Sequence, residues 1–246
     1  MQPFRADLHI HTVLSPCADL EMTPRNIVRR AGEAGLQIIG ITDHNSTKNA
    51  LAVKKLAEKK GIFVLTGAEV TTKEEVHCLA FFESEEGLVL FQEYLDEHIV
   101  KIPNSEHYLG FQPVVDTDEN ILEIIPYYLT SALKKGISEI QKKVVELNGI
   151  FIPAHVNRPA NGIFAQLGFL PPGLHFDALG VTGKTTAGAI RKKYGLNPDI
   201  SFTYNSDAHF PDQIGSNFSV FYLEKAGFNE IKMALHQKGN RYVEKR

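Results

Sequence analysis

Six short apolar segments of the chain deliver carboxylates or imidazoles. ADLHIHT carries Asp7, His9 and His11 two residues apart, a spacing that puts all three on one face of a strand. ITDHN ends an apolar run with Asp43 and His44, and TGAEVT carries Glu69. EEVHCLAF supplies His77, IPAHVNRP supplies His155, and YNSDAHF supplies Asp207 and His209. An H-x-H pair alone fits two hydrogen-bonded core histidines as well as it fits a metal site. Gathering such groups mostly at the C-terminal ends of strands favours the metal site, because active sites of parallel α/β proteins assemble there. Zinc, manganese and iron accept this mixture of ligands. Clustered ions can clamp a phosphate, lower the pKa of a bound water and stabilise a leaving oxygen.

Strands and helices must alternate to bring these residues together. Residues 37–42, 62–71, 76–82, 149–155, 177–182 and 201–209 read as short, mostly buried strands. Thr23-Pro24 gives a cap and a first-turn proline to a helix carrying Ile27, Val28, Ala31 and Ala34 at helical spacing. A second helix is expected over 131–149, with Ile137, Ile140, Val144 and Leu147 on one face and Asn-Gly at its end. Repeated βα units imply a largely parallel sheet, open or closed into a barrel. Residues 83–130 break this rhythm: an acidic helical stretch is followed by three prolines and no clean period. They read as an insertion serving as a lid, a cap or an oligomer contact.

The chain of 246 residues, 43% hydrophobic and 22% charged, suits a single globular domain with a sizeable core. A formal charge of -3 excludes the overall basic field of a dedicated duplex binder but leaves a local basic groove open. Cys17 and Cys78 are too few for a disulfide framework. No secretory signal pattern is seen, and no stretch approaches the ~20 apolar residues of a membrane span. A soluble cytoplasmic protein is expected. ALGVTGKT (178–185) is apolar and strand-like where a phosphate loop needs free amides, so it is not read as a nucleotide loop. Neither H-E-x-x-H nor G-x-S-x-G occurs. His98, His107, His175 and His236 fall in the insertion, in loops or on the last helix and are read as structural.

In this order, D-L-H-x-H-T, T-D-H-N, G-x-E-V, A-H and S-D-A-H resemble the polymerase-and-histidinol-phosphatase (PHP) superfamily of metal-dependent phosphoesterases. The resemblance covers most of the chain and is weakest over 83–130. It implies an α/β fold, a distorted (β/α)7 barrel akin to a TIM barrel, with two or three divalent ions at the strand C-termini. By motif, His9, His11, Glu69 and Asp207 would hold the first ion, and Glu69 would bridge to a second completed by His77 and His155. His44 and His209 would hold the third with a ligand from the loop SPCADLEMTP. That loop departs from the family pattern. Counting forward from Ser15 puts Pro16 in the ligand slot, whereas counting back from Thr23-Pro24 puts Asp19 there. Proline cannot ligate, so Asp19 is expected; Cys17 is the alternative, a soft ligand, but is read first as a plain buried thiol. Asp7 and Asp43 are expected to accept hydrogen bonds from imidazole N–H groups and fix their tautomers. Arg158 and Lys184 are expected at the substrate phosphate, although a surface salt bridge fits Arg158 equally well.

The catalytic set implied is His9, His11, Glu69, Asp207 and His209, served by zinc, manganese or iron. The reaction implied is hydrolysis of a phosphomonoester, a nucleotide or a short oligonucleotide by a metal-activated water. Histidinol phosphate is the alternative substrate, and a metal-binding regulatory module without catalysis is the alternative of another class. A related amidohydrolase would need a carboxylated lysine at a strand end, and no candidate is seen. The expected partner is a small phosphorylated molecule, not a membrane, and oligomerisation is left open.

Overall fold

The computed structural model describes residues 1–245. It opens with β1 (Gln2–Ile10), α1 (Pro24–Glu33), β2 (Ile38–Ile41), α2 (Ala50–Glu58) and β3 (Phe63–Thr71), and β1, β2 and β3 pair in parallel. α1 starts as its sequence requires: the Thr23 side chain accepts from Asn26 N, Pro24 stands in the first turn, and Ile27, Val28 and Ala31 are buried.

The parallel order then breaks. The link over residues 72–76 is too short for a crossover, so β4 (His77–Phe82) runs back antiparallel to β3, with His77 opposite Thr71. Next come α3 (Glu85–His98), α4 (Glu106–Leu109), a hairpin of β5 (Pro113–Val115) and β6 (Ile121–Ile124), and α5 (Ile137–Glu146). β7 (Ile150–Pro153) pairs antiparallel with the free edge of β4. α6 (Ile163–Gln166), β8 (Leu179–Val181), α7 (Ala187–Tyr194) and β9 (Phe202–Tyr204) follow, with β8 and β9 parallel to each other. β10 (Ser219–Leu223), α8 (Phe228–Leu235) and β11 (Tyr242–Lys245) extend the sheet beyond β1.

The main sheet has seven strands in the order β11-β10-β1-β2-β3-β4-β7 and curls into a half-barrel. The β8–β9 pair spans from β7, at one end of the sheet, to β1 in its interior: Val156 N donates to Gly180 O, and Ala208 exchanges backbone hydrogen bonds with His9 and His11. The expected (β/α)7 alternation is therefore met only in part, because β4 and β10 run antiparallel to their neighbours. The helix expected over 131–149 also begins late. Residues 131–136 instead lend their backbone to neighbours, with Leu133 N donating to Thr71 O and Lys134 N to His98 O. The Glu139 carboxylate then accepts from Gly136 N at the helix start.

One apolar cluster joins the sheet (Val70, Ala80, Phe82) to α3 (Leu88, Phe91, Leu95) and α5 (Ile140, Val144). Residues of the 83–130 stretch thus share a core with the sheet. Among the described residues, no helix is long and apolar enough to cross a membrane.

Candidate metal centre

β1, β2 and β3 end side by side, and the reversal of β4 brings its first residue, His77, to the same edge. Glu69 stands at the centre. Its Oε1 lies 3.2 Å from His9 Nε2, 3.0 Å from His77 Nδ1 and 3.1 Å from His155 Nε2. Its Oε2 lies 3.4 Å from His11 Nε2 and 3.1 Å from His44 Nδ1. Asp207 Oδ1 is 3.2 Å from His9 Nε2 and 3.3 Å from His11 Nε2. The His209 ring stacks on that of His11 with centres 4.1 Å apart, and its Nδ1 lies 2.9 Å from the Asp207 carbonyl oxygen. His9, His11, His44, Glu69, His77, His155 and Asp207 are all buried.

Backbone strain accompanies this convergence. His155 has φ of 28° and Asp207 φ of 57°, in the left-handed region that side chains with a Cβ rarely occupy. Such conformations persist only where the surroundings impose them. Gly162 makes room for the first: a Cβ there would stand 3.0 Å from His155 O and 2.9 Å from Arg158 O.

The electrostatics are those of a dense mixed cluster. Burial alone would raise Glu69, yet His77, His9 and His155 hold its carboxyl well below the usual range. Asp207 is likewise lowered, chiefly by His9 and His11 working against burial. Burial would lower His9, but Asp207 and Glu69 overcome it and raise the imidazole to about 9. His11 goes the other way, to about 3, through burial and the nearby His209. Burial likewise lowers His44 and His155.

Three groups have ligand atoms close enough to share an ion: His9, His11, Glu69 and Asp207; His44, Glu69 and His77; and His11, His44 and His209. The donor set fits a divalent ion. The Nε2 atoms of His9 and His11 approach to 3.1 Å while both face the same two carboxylates, an arrangement suited to a shared cation. His155 stands beside the second group through Glu69.

The other expected residues stand outside these three groups. Asp19 is outside all three groups, and its Oδ1 accepts from Glu21 N within the turn. Cys17 is exposed rather than buried. Asp7 receives backbone amides from His9, Ser206 and Gly215, and no imidazole ring. Asp43 receives Thr12 N, Thr12 Oγ1 and Ser15 Oγ, so it reaches an imidazole only through a hydroxyl. Arg158 is half-exposed, with Nη1 2.6 Å from Asp207 Oδ2. Lys184 is exposed on the turn after β8. Ser15 is the contributor that sequence reading passed over; its signal was a hydroxyl four residues beyond His11 in an apolar stretch.

The family model described as PHP domain matches residues 7–124. An uncharacterised protein of Bacillus subtilis, YqxK, is 25% identical over an alignment covering 99% of this chain and 64% of that protein. Among solved structures, the lesion-specific endonuclease PfuEndoQ from Pyrococcus furiosus is similar with a TM-score of 0.73 and 21% identity, over 98% of this chain and 58% of that one. A two-domain protein of Bacteroides vulgatus, containing a predicted PHP-like metal-dependent phosphoesterase, is similar with a TM-score of 0.62 and 17% identity, over 100% of this chain and 65% of that one. These structural likenesses concern the fold, and the chain spans less than two thirds of each of the three proteins.

Proposed function

We propose, for a chain that belongs to the PHP family, that the buried cluster holds divalent metal ions and hydrolyses phosphate esters. The observation that carries this is the convergence of His9 and His11 at the end of β1, Glu69 on β3 and Asp207 after β9 within reach of one ion. In this reading those four hold a first ion, Glu69 with His77 and His155 a second, and His44 and His209 a third without Asp19. Zinc, manganese or iron bound there would supply Lewis acidity and a lowered pKa for water.

The chain's own residues do the rest. Glu69 presents both oxygens to opposite sides of the cluster and so can serve two ions at once. Arg158, paired with Asp207 but half-exposed, can turn its guanidinium fork to a phosphate. Lys184 adds a second cation if its turn, tied to the 155–158 turn through Asn157 and Thr185, approaches the substrate. His209 is the partly exposed imidazole of the cluster, and its Nδ1 is engaged by the Asp207 carbonyl oxygen. The same reading treats the chain as one domain with residues 83–130 inserted in it.

The substrates proposed are phosphomonoesters, nucleotides and short oligonucleotides. The name of the Pyrococcus neighbour, a lesion-specific endonuclease, supports the nucleic-acid end of that range. The test is turnover by the zinc-, manganese- or iron-loaded protein on nucleotides, short oligonucleotides and histidinol phosphate, beside His9→Ala. Loss of about 100-fold or more is expected in the variant, on the scale of deleting a group that stabilises the transition state. Undiminished turnover in His9→Ala would sink the assignment. Bound metal without activity on any member of the panel would favour a regulatory module.

A further inference from the structure

Ser15 is fully buried, yet its hydroxyl lies at a junction of three polar groups. Ser15 Oγ donates to Asp43 Oδ1 at 2.7 Å. It also lies 2.9 Å from His11 Nδ1 and accepts from His44 N at 3.2 Å. A hydroxyl has one proton and two lone pairs. With that proton committed to Asp43, only the lone pairs face His11 and His44. His11 Nδ1 must then carry the hydrogen, and its Nε2 is left as a bare lone pair. That nitrogen is the one facing Glu69 and Asp207.

Asp43 cannot reverse this polarity. It accepts Thr12 N and Thr12 Oγ1 as well as Ser15 Oγ, so it is held as an acceptor on both oxygens. Thr12 Oγ1 accepts in turn from Asn49 Nδ2. The chain of donors therefore runs from Asn49 and Thr12 into Asp43, and separately from His11 through Ser15 into the same carboxylate. By contrast, His9 Nδ1 and His155 Nδ1 are buried without a hydrogen-bond partner. Orientation from behind is given to His11 and not to those two rings.

On the reading that His11 is a metal ligand, we propose that Ser15 is a positioning residue. Its hydroxyl relays the Asp43 carboxylate to His11 Nδ1, fixes the tautomer that leaves Nε2 free to ligate, and holds the backbone of His44 beside it. One atom thereby sets the spacing between the ligand-bearing segments that follow β1 and β2. Outer partners of this kind orient a ligating imidazole and raise its basicity.

Long-range proton–nitrogen spectra of the metal-free protein at neutral pH report which ring nitrogen of His11 carries the hydrogen. The Nδ1–H form is expected in the wild type, a mixed population in Ser15→Ala, and recovery in Ser15→Thr. Affinity for zinc and for manganese alone, by competition with a chromogenic chelator, should fall about 10–100-fold in Ser15→Ala and recover in Ser15→Thr. Wild-type His11 in the Nε2–H form overturns the inference even if the variants do not fold. So does a Ser15→Ala protein that keeps both the tautomer and an affinity within about threefold of wild type, well inside the range expected for an orienting partner. A wild type that shows the Nδ1–H form but binds neither metal overturns the metal-centre reading instead, and with it Ser15's role toward a ligand.

Discussion

Glu69 faces five imidazoles, and that crowding decides how the protein without metal responds to pH. His9 is the cluster member whose imidazole is raised, to about 9, because Asp207 and Glu69 outweigh its burial. A histidine with a raised folded pKa stabilises the fold fully below its unfolded value, near 6.5. That contribution disappears as pH climbs through about 9. The lowered imidazoles of His11, His44 and His155 are already neutral across this window. Asp7 and Asp43, raised by burial to about 6, finish ionising in the first part of it. Chelator-treated protein should therefore lose up to about 3 kcal/mol of stability between pH 6.5 and 9. Denaturant titrations across that range test this, and Glu69→Gln should flatten the loss because one of the two carboxylates holding His9 up is gone. Arg158 gives a second test at the same scale. Arg158→Ala should raise KM about tenfold or more with a smaller change in kcat, since charge-assisted hydrogen bonds to phosphate are worth about 1.5–3 kcal/mol. Arg158→Lys should recover only part of that, having charge but no fork. A fall in kcat at constant KM would place Arg158 elsewhere in the reaction.

At the scale of elements, the residues that converge on Glu69 were legible in the sequence because each sits at the edge of a short apolar run with strand-like content. What could not be read was how the strands are ordered. His77 lies at the start of β4 and reaches the site only because the short 72–76 link forces that strand backwards. Local periodicity carries no information about that reversal. In the loop after β1, the expected Asp19 stands outside the three groups, although its backbone N–H donates to the carbonyl oxygen of His209. One oxygen of its carboxylate, Oδ1, accepts from Glu21 N. Ser15 looks inert in sequence and acquires a role only when Asp43, far along the chain, folds against it. Gly162 shows the same dependence on packing, since only the fold brings it against the turn carrying His155 and Arg158. Gly162→Ala should push that turn outward, cost about 1–3 kcal/mol as an overpacked contact, and weaken metal binding at His155. Equilibrium unfolding and metal titration read the two effects separately. Full stability with unchanged affinity would show that the turn has slack.

At the scale of the whole molecule, charge is segregated more sharply than the formal total of -3 suggests. Residues 83–130 contain eleven Asp or Glu and a single basic residue, Lys101, so the rest of the chain carries a positive excess. The two parts are stitched together at Arg25 with Asp118 and at Lys48 with Glu123. Gly110, with φ of 93°, lies so close to Pro16 that any side chain would collide with its backbone oxygen. The acidic stretch is thus anchored beside the loop that carries Ser15, next to the candidate metal centre. A small phosphoester can pass it at little electrostatic cost, whereas a longer polyanion presents several phosphates to it at once. Salt separates this arrangement from a basic nucleic-acid groove by the sign of its effect. Repulsion is screened as ionic strength rises, while attraction to a basic groove is lost. Raising salt from about 0.05 to about 0.2 M should therefore increase kcat/KM on a ten-nucleotide strand relative to a mononucleotide. A steep fall with salt would instead reveal a basic path for nucleic acid running clear of the 83–130 stretch, and would move the proposed substrates toward longer strands.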